Sequence, residues 1–350
     1  MARPSKGSTG KLTEVDCNGP GITRRRAGKG FTYWDASGQE RAKRITDREV
    51  IERIKALAIP PAWEDVWICS DPLGHIQATG RDARGRLQYR YHQQWQEARS
   101  AEKFERVVQF AGKLPGLREQ VAKDLRRRGM PRERVLACAV RLLEVGCFRV
   151  GGAAYAEENG SFGLSTLRKE HVRVERRGKD RILWFDYDAK SGQQLQQAVV
   201  DERVLAVVTA LKRRRAPADA ELLAYKVPGA GNRARWVDVT AEDINEYLRE
   251  HLGPDWTAKD FRTWVATVLA AVELAAAERP TSATARKKLI REVTADVAAH
   301  LGNTPAVARS AYIDPRVVER FEDGHTIASA LDTTDIEDLE RAVRRLLRRT

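Results

Sequence analysis

Hydrophobic positions along this chain follow two periods, and the change of period divides it. Between about residues 21 and 99 they fall in short alternating runs, Phe31 to Trp34 (FTYW), Val66 to Cys69 (VWIC) and Leu87 to Tyr91 (LQYRY), bounded by Gly, Pro and Asp. Alternation sends successive side chains to opposite faces of a strand, so these runs predict a small, mostly β module with one helix near 46–57. Past residue 100, apolar residues recur every three or four positions over 101–128, 131–148, 199–214, 241–252, 257–278, 282–301 and 332–348, which is helical spacing. One β interruption breaks the series. Residues 164–189 read as two strands around a turn at Gly178 to Asp180, running into a basic loop at Lys190 to Gly192. The predicted fold class is α+β: a small β-rich N-terminal domain (21–99) and a larger, mainly α-helical domain (100–350) carrying a β-hairpin. Residues 1–20 mix Gly, Ser, Lys and Pro without periodicity and are expected to form a flexible lead-in.

With 350 residues, 42% of them hydrophobic, the chain can bury at least one full core, which excludes a disordered protein and a miniprotein. Charge changes the picture more. Lys and Arg number 62 against 49 Asp and Glu, a net +13, of which +6 falls on the first 99 residues and +7 on the other 251. The small module is therefore the more basic per residue, and the surface should attract a polyanion. Cys17, Cys69, Cys138 and Cys147 lie far apart without a CxxC pair or a His cluster, which argues against a zinc site or a disulfide framework and for a reducing cytoplasm. No apolar run approaches the ~18 to 20 residues of a membrane span. The opening MARPSKGSTGK lacks the apolar core of a signal peptide, so a soluble protein that stays inside the cell is expected. There is no GxxxxGK[ST] loop, and the glycines near Gly28 and Gly30 do not lie between a strand and a helix, so neither ATP nor NAD is expected as a cofactor.

Without His clusters, acidic pairs at metal spacing or a GxSxG turn, the usual hydrolase machineries have little footing, and no metal is expected. Arginine, lysine and tyrosine remain. Such a set suits phosphodiester chemistry, because guanidinium groups can clamp the oxygens on which negative charge gathers as phosphorus is attacked. A tyrosine can be the nucleophile, and a phosphotyrosyl bond stores the strand's energy so that the reaction reverses without ATP.

Four segments carry those residues: CFRVGGAAYAEENGSFGLSTLRKEH (147–171), WFDYDAKSGQQ (184–194), AKDFRTW (258–264) and LGNTPAVARSAYID (301–314). Together they resemble one family, the type IB DNA topoisomerases of the bacterial, poxvirus-like branch. The resemblance implies Arg149 and Arg262 as phosphate clamps, Lys190 as the general acid on a hairpin loop and Tyr312 as the nucleophile, with Tyr155 and Lys259 on the DNA backbone. Asn303 stands nine residues before Tyr312, where many family members place a His that donates to a non-bridging oxygen. Its amide can still donate but cannot carry charge. The resemblance extends through GHIQATGRDARGRLQYRYH (74–92), similar to the family's strand that touches DNA, and covers roughly residues 20–320. It implies DNA contacts from Arg81, Arg84, Arg86, Tyr89 and Tyr91.

Those N-terminal contacts have a plain alternative, since the arginines could serve only as a charged strand edge that discourages aggregation. Tyr89 and Tyr91 share one strand face and Gln88 and Arg90 the other, and alternation alone leaves open which of them meets DNA and which meets a core. Arg24 to Arg26 remain a generic basic patch. The family implies a monomer closing as a clamp on duplex DNA, preferably supercoiled, in the cytoplasm on the nucleoid, and acting without ATP or metal. A tyrosine recombinase is the nearest rival, but recombinases commonly place His three residues before the second arginine and nine before the tyrosine, where this chain has Lys259 and Asn303. A non-catalytic, chromatin-like DNA-binding protein would leave the four segments unexplained.

Overall fold

The computed structural model describes residues 11–36, 42–229 and 234–348, apart from the side chains of Tyr155 and Ser191. Two compact units divide the chain, Met1–Lys103 and Phe104–Thr350. The first is built on strands β1 (Ile22–Ala27), β2 (Gly30–Asp35), β3 (Lys43–Arg44), β4 (Glu64–Ile68), β5 (Ile76–Arg81) and β6 (Leu87–Tyr91), with helix α1 (Arg48–Ala56). They form one antiparallel sheet in the order β3-β2-β1-β4-β5-β6. Register assigns its faces. Ile22 lies opposite Ile68, and Ile68 opposite Ala78; all three are buried with Ile54 of α1, so this face holds the core. The next row, Trp34, Thr23, Trp67, Thr79 and Tyr89, therefore belongs to the other face.

Residues 13–19, expected as lead-in, are instead tied to the sheet. Thr13 exchanges backbone hydrogen bonds with Leu73 and His75 at 3.0 and 2.9 Å, the Val15 N–H donates to His75 Nδ1 at 3.1 Å, and Trp67 Nε1 donates to the Gly19 carbonyl at 3.1 Å. Such pairing depends on distant backbone and leaves no local period to read. Residues 1–10 lie outside the described ones.

Helix α2 (Gln93–Leu125) begins in the first unit and continues in the second, starting several residues before the boundary expected at 99. The second unit is mainly helical: α3 (Arg132–Gly146), α4 (Ala153–Asn159), α5 (Glu202–Lys212), α6 (Ala241–Leu252), α7 (Ala258–Ala276), α8 (Ala283–Leu301), α9 (Pro305–Ala311), α10 (Pro315–Glu322) and α11 (Ile336–Arg348). Val135 to Val140 of α3 and Asp260 to Trp264 of α7 are buried without a break, so these two helices run through the core rather than along its surface. Strands β7 (Val172–Arg177), β8 (Asp180–Ala189) and β9 (Gln193–Val199) form an antiparallel sheet, and β10 (Ala224–Val227) pairs with β11 (Arg235–Asp238). The hairpin read from sequence thus has a third strand. β9 was hidden because Gln193, Gln194, Gln196 and Gln197 leave only Leu195, Ala198 and Val199 to show alternation. Residues 164–171, expected as strand, form two tight turns instead, the first closed by the Gly163 N–H donating to Thr166 Oγ1 at 3.0 Å.

Candidate active site

Arg149, Arg262, Asn303 and Tyr312 come from segments far apart in sequence, and hydrogen bonds, most of them from side chains to backbone carbonyls, bring them together. α3 ends at Cys147, held in the left-handed region at φ 51°, and the chain then turns through buried Phe148 to Arg149. Phe148 packs edge-on against Phe185 of β8 at 4.8 Å between centroids. Past Arg149, the Leu164 and Ser165 N–H groups donate to the carbonyls of Arg149 and Val150, both at 2.8 Å. Gly151 and Gly163 cross so closely that a Cβ on Gly163 would stand 2.5 Å from Gly151 Cα, which is why neither position tolerates a side chain.

Arg262 lies in the first turns of α7, only 4% exposed. It donates to the Cys147 carbonyl through Nη1 and to the Leu301 carbonyl through Nη2 at 2.7 Å. α8 ends at Gly302 in the left-handed conformation (φ 58°), where a Cβ would meet Leu195 of β9 at 2.6 Å. Arg149 Nη2 donates to the Gly302 carbonyl at 2.7 Å and to Asn303 Oδ1 at 2.6 Å. Because that pairing takes the amide oxygen, Asn303 Nδ2 faces away from Arg149; it is buried with no hydrogen-bond partner among the described residues, as is Arg262 Nε. Donors without acceptors are costly in a folded interior, and an acceptor-rich anion would satisfy both.

Tyr312 sits where two short helices meet. Thr304 caps α9 with Pro305 as its first residue, and buried Asp314 caps α10 with Pro315 as its first residue, so each helix has a proper start and Tyr312 falls at the junction. Thr267, on α7 beyond Arg262, donates to the Tyr312 carbonyl and accepts from the Asp314 N–H, both at 3.2 Å. The half-buried Tyr312 ring lies 5.3 Å from the Arg262 guanidinium carbon.

Exposed Lys190 opens the β8–β9 turn, and a cleft of about 280 Å³ is lined by Lys190 and Arg149 together with Gly151, Gly152, Phe162 and Gly163. The Phe162 N–H donates to the Asp188 carbonyl at 2.7 Å, which ties this turn to the Arg149 segment. Lys259 is exposed in the first turn of α7, three residues before Arg262. Tyr155 lies on α4, and its side chain is outside the described residues. Sequence reasoning missed Tyr187, a buried tyrosine on β8 whose hydroxyl feels the charges of both Arg149 and Arg262.

In the first unit, Tyr89 and Tyr91 project from the face opposite the core, 42% and 39% exposed, with rings 5.7 Å apart and nearly parallel. Arg90 Nη2 on the other face donates to the Ala58 carbonyl at 2.8 Å. The tyrosine face is thus the one open to a partner. Arg81, Arg84 and Arg86 cluster around the exposed β5–β6 turn, where Arg86 pairs with Asp82 at 2.8 Å and Arg81 Nη1 donates to the Gly85 carbonyl at 2.9 Å.

Residues 92–334 match the family model of the eukaryotic DNA topoisomerase I catalytic core, and residues 30–82 match that of the bacterial DNA topoisomerase IB N-terminal domain. A DNA topoisomerase 1B of Acanthamoeba polyphaga mimivirus is 30% identical over 305 residues, which cover 86% of this chain and 88% of the viral protein.

Proposed function

Because this chain belongs to the type IB DNA topoisomerases, a family of isomerases, we propose that it relaxes supercoiled duplex DNA through a transient 3′-phosphotyrosyl break, as a monomer and without ATP or metal. One observation carries the reading: Arg149, Arg262 and Asn303 converge on the segment bearing Tyr312, with the Asn303 Nδ2 and Arg262 Nε donors unmatched among the described residues. A phosphodiester supplies acceptors alone, which suits that set. Tyr312 Oη attacks phosphorus and displaces the 5′ oxygen. Arg149, Arg262 and Asn303 hold the non-bridging oxygens as they gain charge, and Lys190 gives the departing oxygen its proton. Torsion then turns the free end about the intact strand until the 5′-hydroxyl returns and expels Tyr312. Among the described residues no three His, Cys, Asp or Glu side chains gather as metal ligands, and no helix is long and apolar enough to cross a membrane. The outward row of Trp34, Trp67, Tyr89 and Tyr91 supports the sheet of the first unit as a second DNA-contacting surface, and the expected place of action is the cytoplasm, on the nucleoid.

A plasmid relaxation assay with purified protein, chelator present and ATP absent, tests the whole reading. Relaxed circles from any plasmid, of either supercoil sign, are expected. Strand exchange confined to defined sites would move the chain to the recombinases, and an absolute need for a divalent cation would remove the mechanism.

Asn303 offers a local test. Asn303→Ala deletes one donor to a developing oxyanion and should slow single-turnover cleavage roughly ten- to a thousandfold, with Asn303→His restoring part of the loss. Wild-type cleavage by the Ala variant would leave Asn303 only its role as an acceptor for Arg149.

A further inference from the structure

Tyr187 stands three residues before Lys190 on β8, on the inward face it shares with Phe185 and Ala189. It is 4% exposed. Its ring is stacked on Phe148, the neighbour of Arg149, at 6.1 Å and 21°, and tilted against His171 at 6.4 Å. Burial holds His171 below its ordinary pKa, and its Nδ1 accepts the Arg168 N–H at 3.1 Å, so the ring beside Tyr187 is a neutral imidazole. The phenol ring thus lies beside two other rings in the buried interior.

The hydroxyl at the end of a buried tyrosine ring normally finds a partner. This one has no hydrogen bond with any described residue, although the Arg149 and Arg262 charges both reach it. Those are the guanidinium groups proposed to clamp the phosphate. Two buried donors, Asn303 Nδ2 and Arg262 Nε, are also without a partner among the described residues. Resting on the topoisomerase reading, we propose that Tyr187 is a further catalytic residue, its phenol donating a hydrogen bond to a non-bridging oxygen of the scissile phosphate.

Its protonation state suits that task. Burial pushes the Tyr187 phenol up to about 12, while the two arginines pull the other way, so at neutral pH it keeps its proton and donates. A phenol held protonated in this way is a poor nucleophile. As charge gathers on the phosphorane the hydrogen bond strengthens, with no proton transferred and no bond to Tyr187 formed.

Tyr187→Phe removes the hydroxyl and keeps the ring and its stacking. Single-turnover cleavage of an ordinary duplex should slow about ten- to a hundredfold, with duplex affinity unchanged. The decisive measurement uses two duplexes in which one or the other non-bridging oxygen of the scissile phosphate is replaced by methyl. On the diastereomer lacking the accepted oxygen, wild type and Tyr187→Phe should cleave at similar rates; on the other the penalty should persist. A penalty equal on both diastereomers, or none on the ordinary duplex, overturns the proposal. A wild-type protein forming no adduct at Tyr312 would overturn the topoisomerase reading itself, a result distinct from an active wild type indifferent to loss of the Tyr187 hydroxyl.

Discussion

Replacing Tyr312 by Phe should abolish both the covalent protein–DNA adduct and plasmid relaxation, a loss of at least ~10⁴-fold, while duplex affinity stays within about twofold of wild type. The variant keeps the ring over Arg262 and the backbone bonds to Thr267, so neither the tie between α7 and the α9–α10 junction nor the arginine positions change. Binding survives because it rests on phosphate contacts spread over a basic surface. Denaturant-trapped adduct on end-labelled duplex gives the readout. If the Phe variant still relaxed plasmid, another nucleophile would be required, and Tyr187 is poorly suited because its phenol holds its proton to about 12.

The second large effect concerns the leaving group. A 5′ oxygen departs as a poor alkoxide unless a proton arrives, and Lys190, exposed on a turn beside the cleft it shares with Arg149, is placed to deliver one. Lys190→Ala should slow cleavage of ordinary DNA by about a hundred- to ten-thousandfold, the usual range for a lost general acid. A duplex with sulfur at the 5′ bridging position needs no such proton, so on it the variant should recover nearly all of its rate. Arg149 and Arg262 variants should stay impaired on both substrates, since sulfur leaves the non-bridging oxygens unchanged. Equal slowing of Lys190→Ala on the two substrates would make the lysine a binding group and leave the proton donor to be found elsewhere.

Where apolar residues are numerous and regularly spaced, the fold was legible. α6 and α8 occupy 241–252 and 283–301 almost as their spacing predicts, because each buries one apolar stripe. Elements stabilised by other means were not. α9 has Ala308 as its buried residue, so no period betrays it; its local signal lies in the cap-proline pairs Thr304-Pro305 and Asp314-Pro315. β9 is held by its backbone ladder to β8 and buries few apolar side chains. The site divides in the same way. Residue types pointed to phosphodiester chemistry, and resemblance rather than spacing supplied Arg149, Lys190, Arg262, Asn303 and Tyr312. Tyr187 went unnoticed because, on an alternating strand, a tyrosine reads as core; its nearness to two guanidinium groups arises only when β8 packs against Phe148. The outward face of Tyr89 and Tyr91 likewise needed register, since it follows from Ile22, Ile68 and Ala78 claiming the opposite side.

Arg262 reaches across 115 residues to the Cys147 carbonyl and across 39 to that of Leu301. The entropy of closing those loops is spent when the chain folds, before any nucleic acid arrives. For the proposed role as a phosphate clamp, a guanidinium held in this way need not reorganise when a phosphate enters. The cost appears elsewhere: a neutral residue at 262 removes the cross-link between the ends of α3 and α8 as well as a positive charge. Thermal unfolding and amide exchange at Phe148 and Asn303 should therefore register that loss in the free protein, with no substrate present.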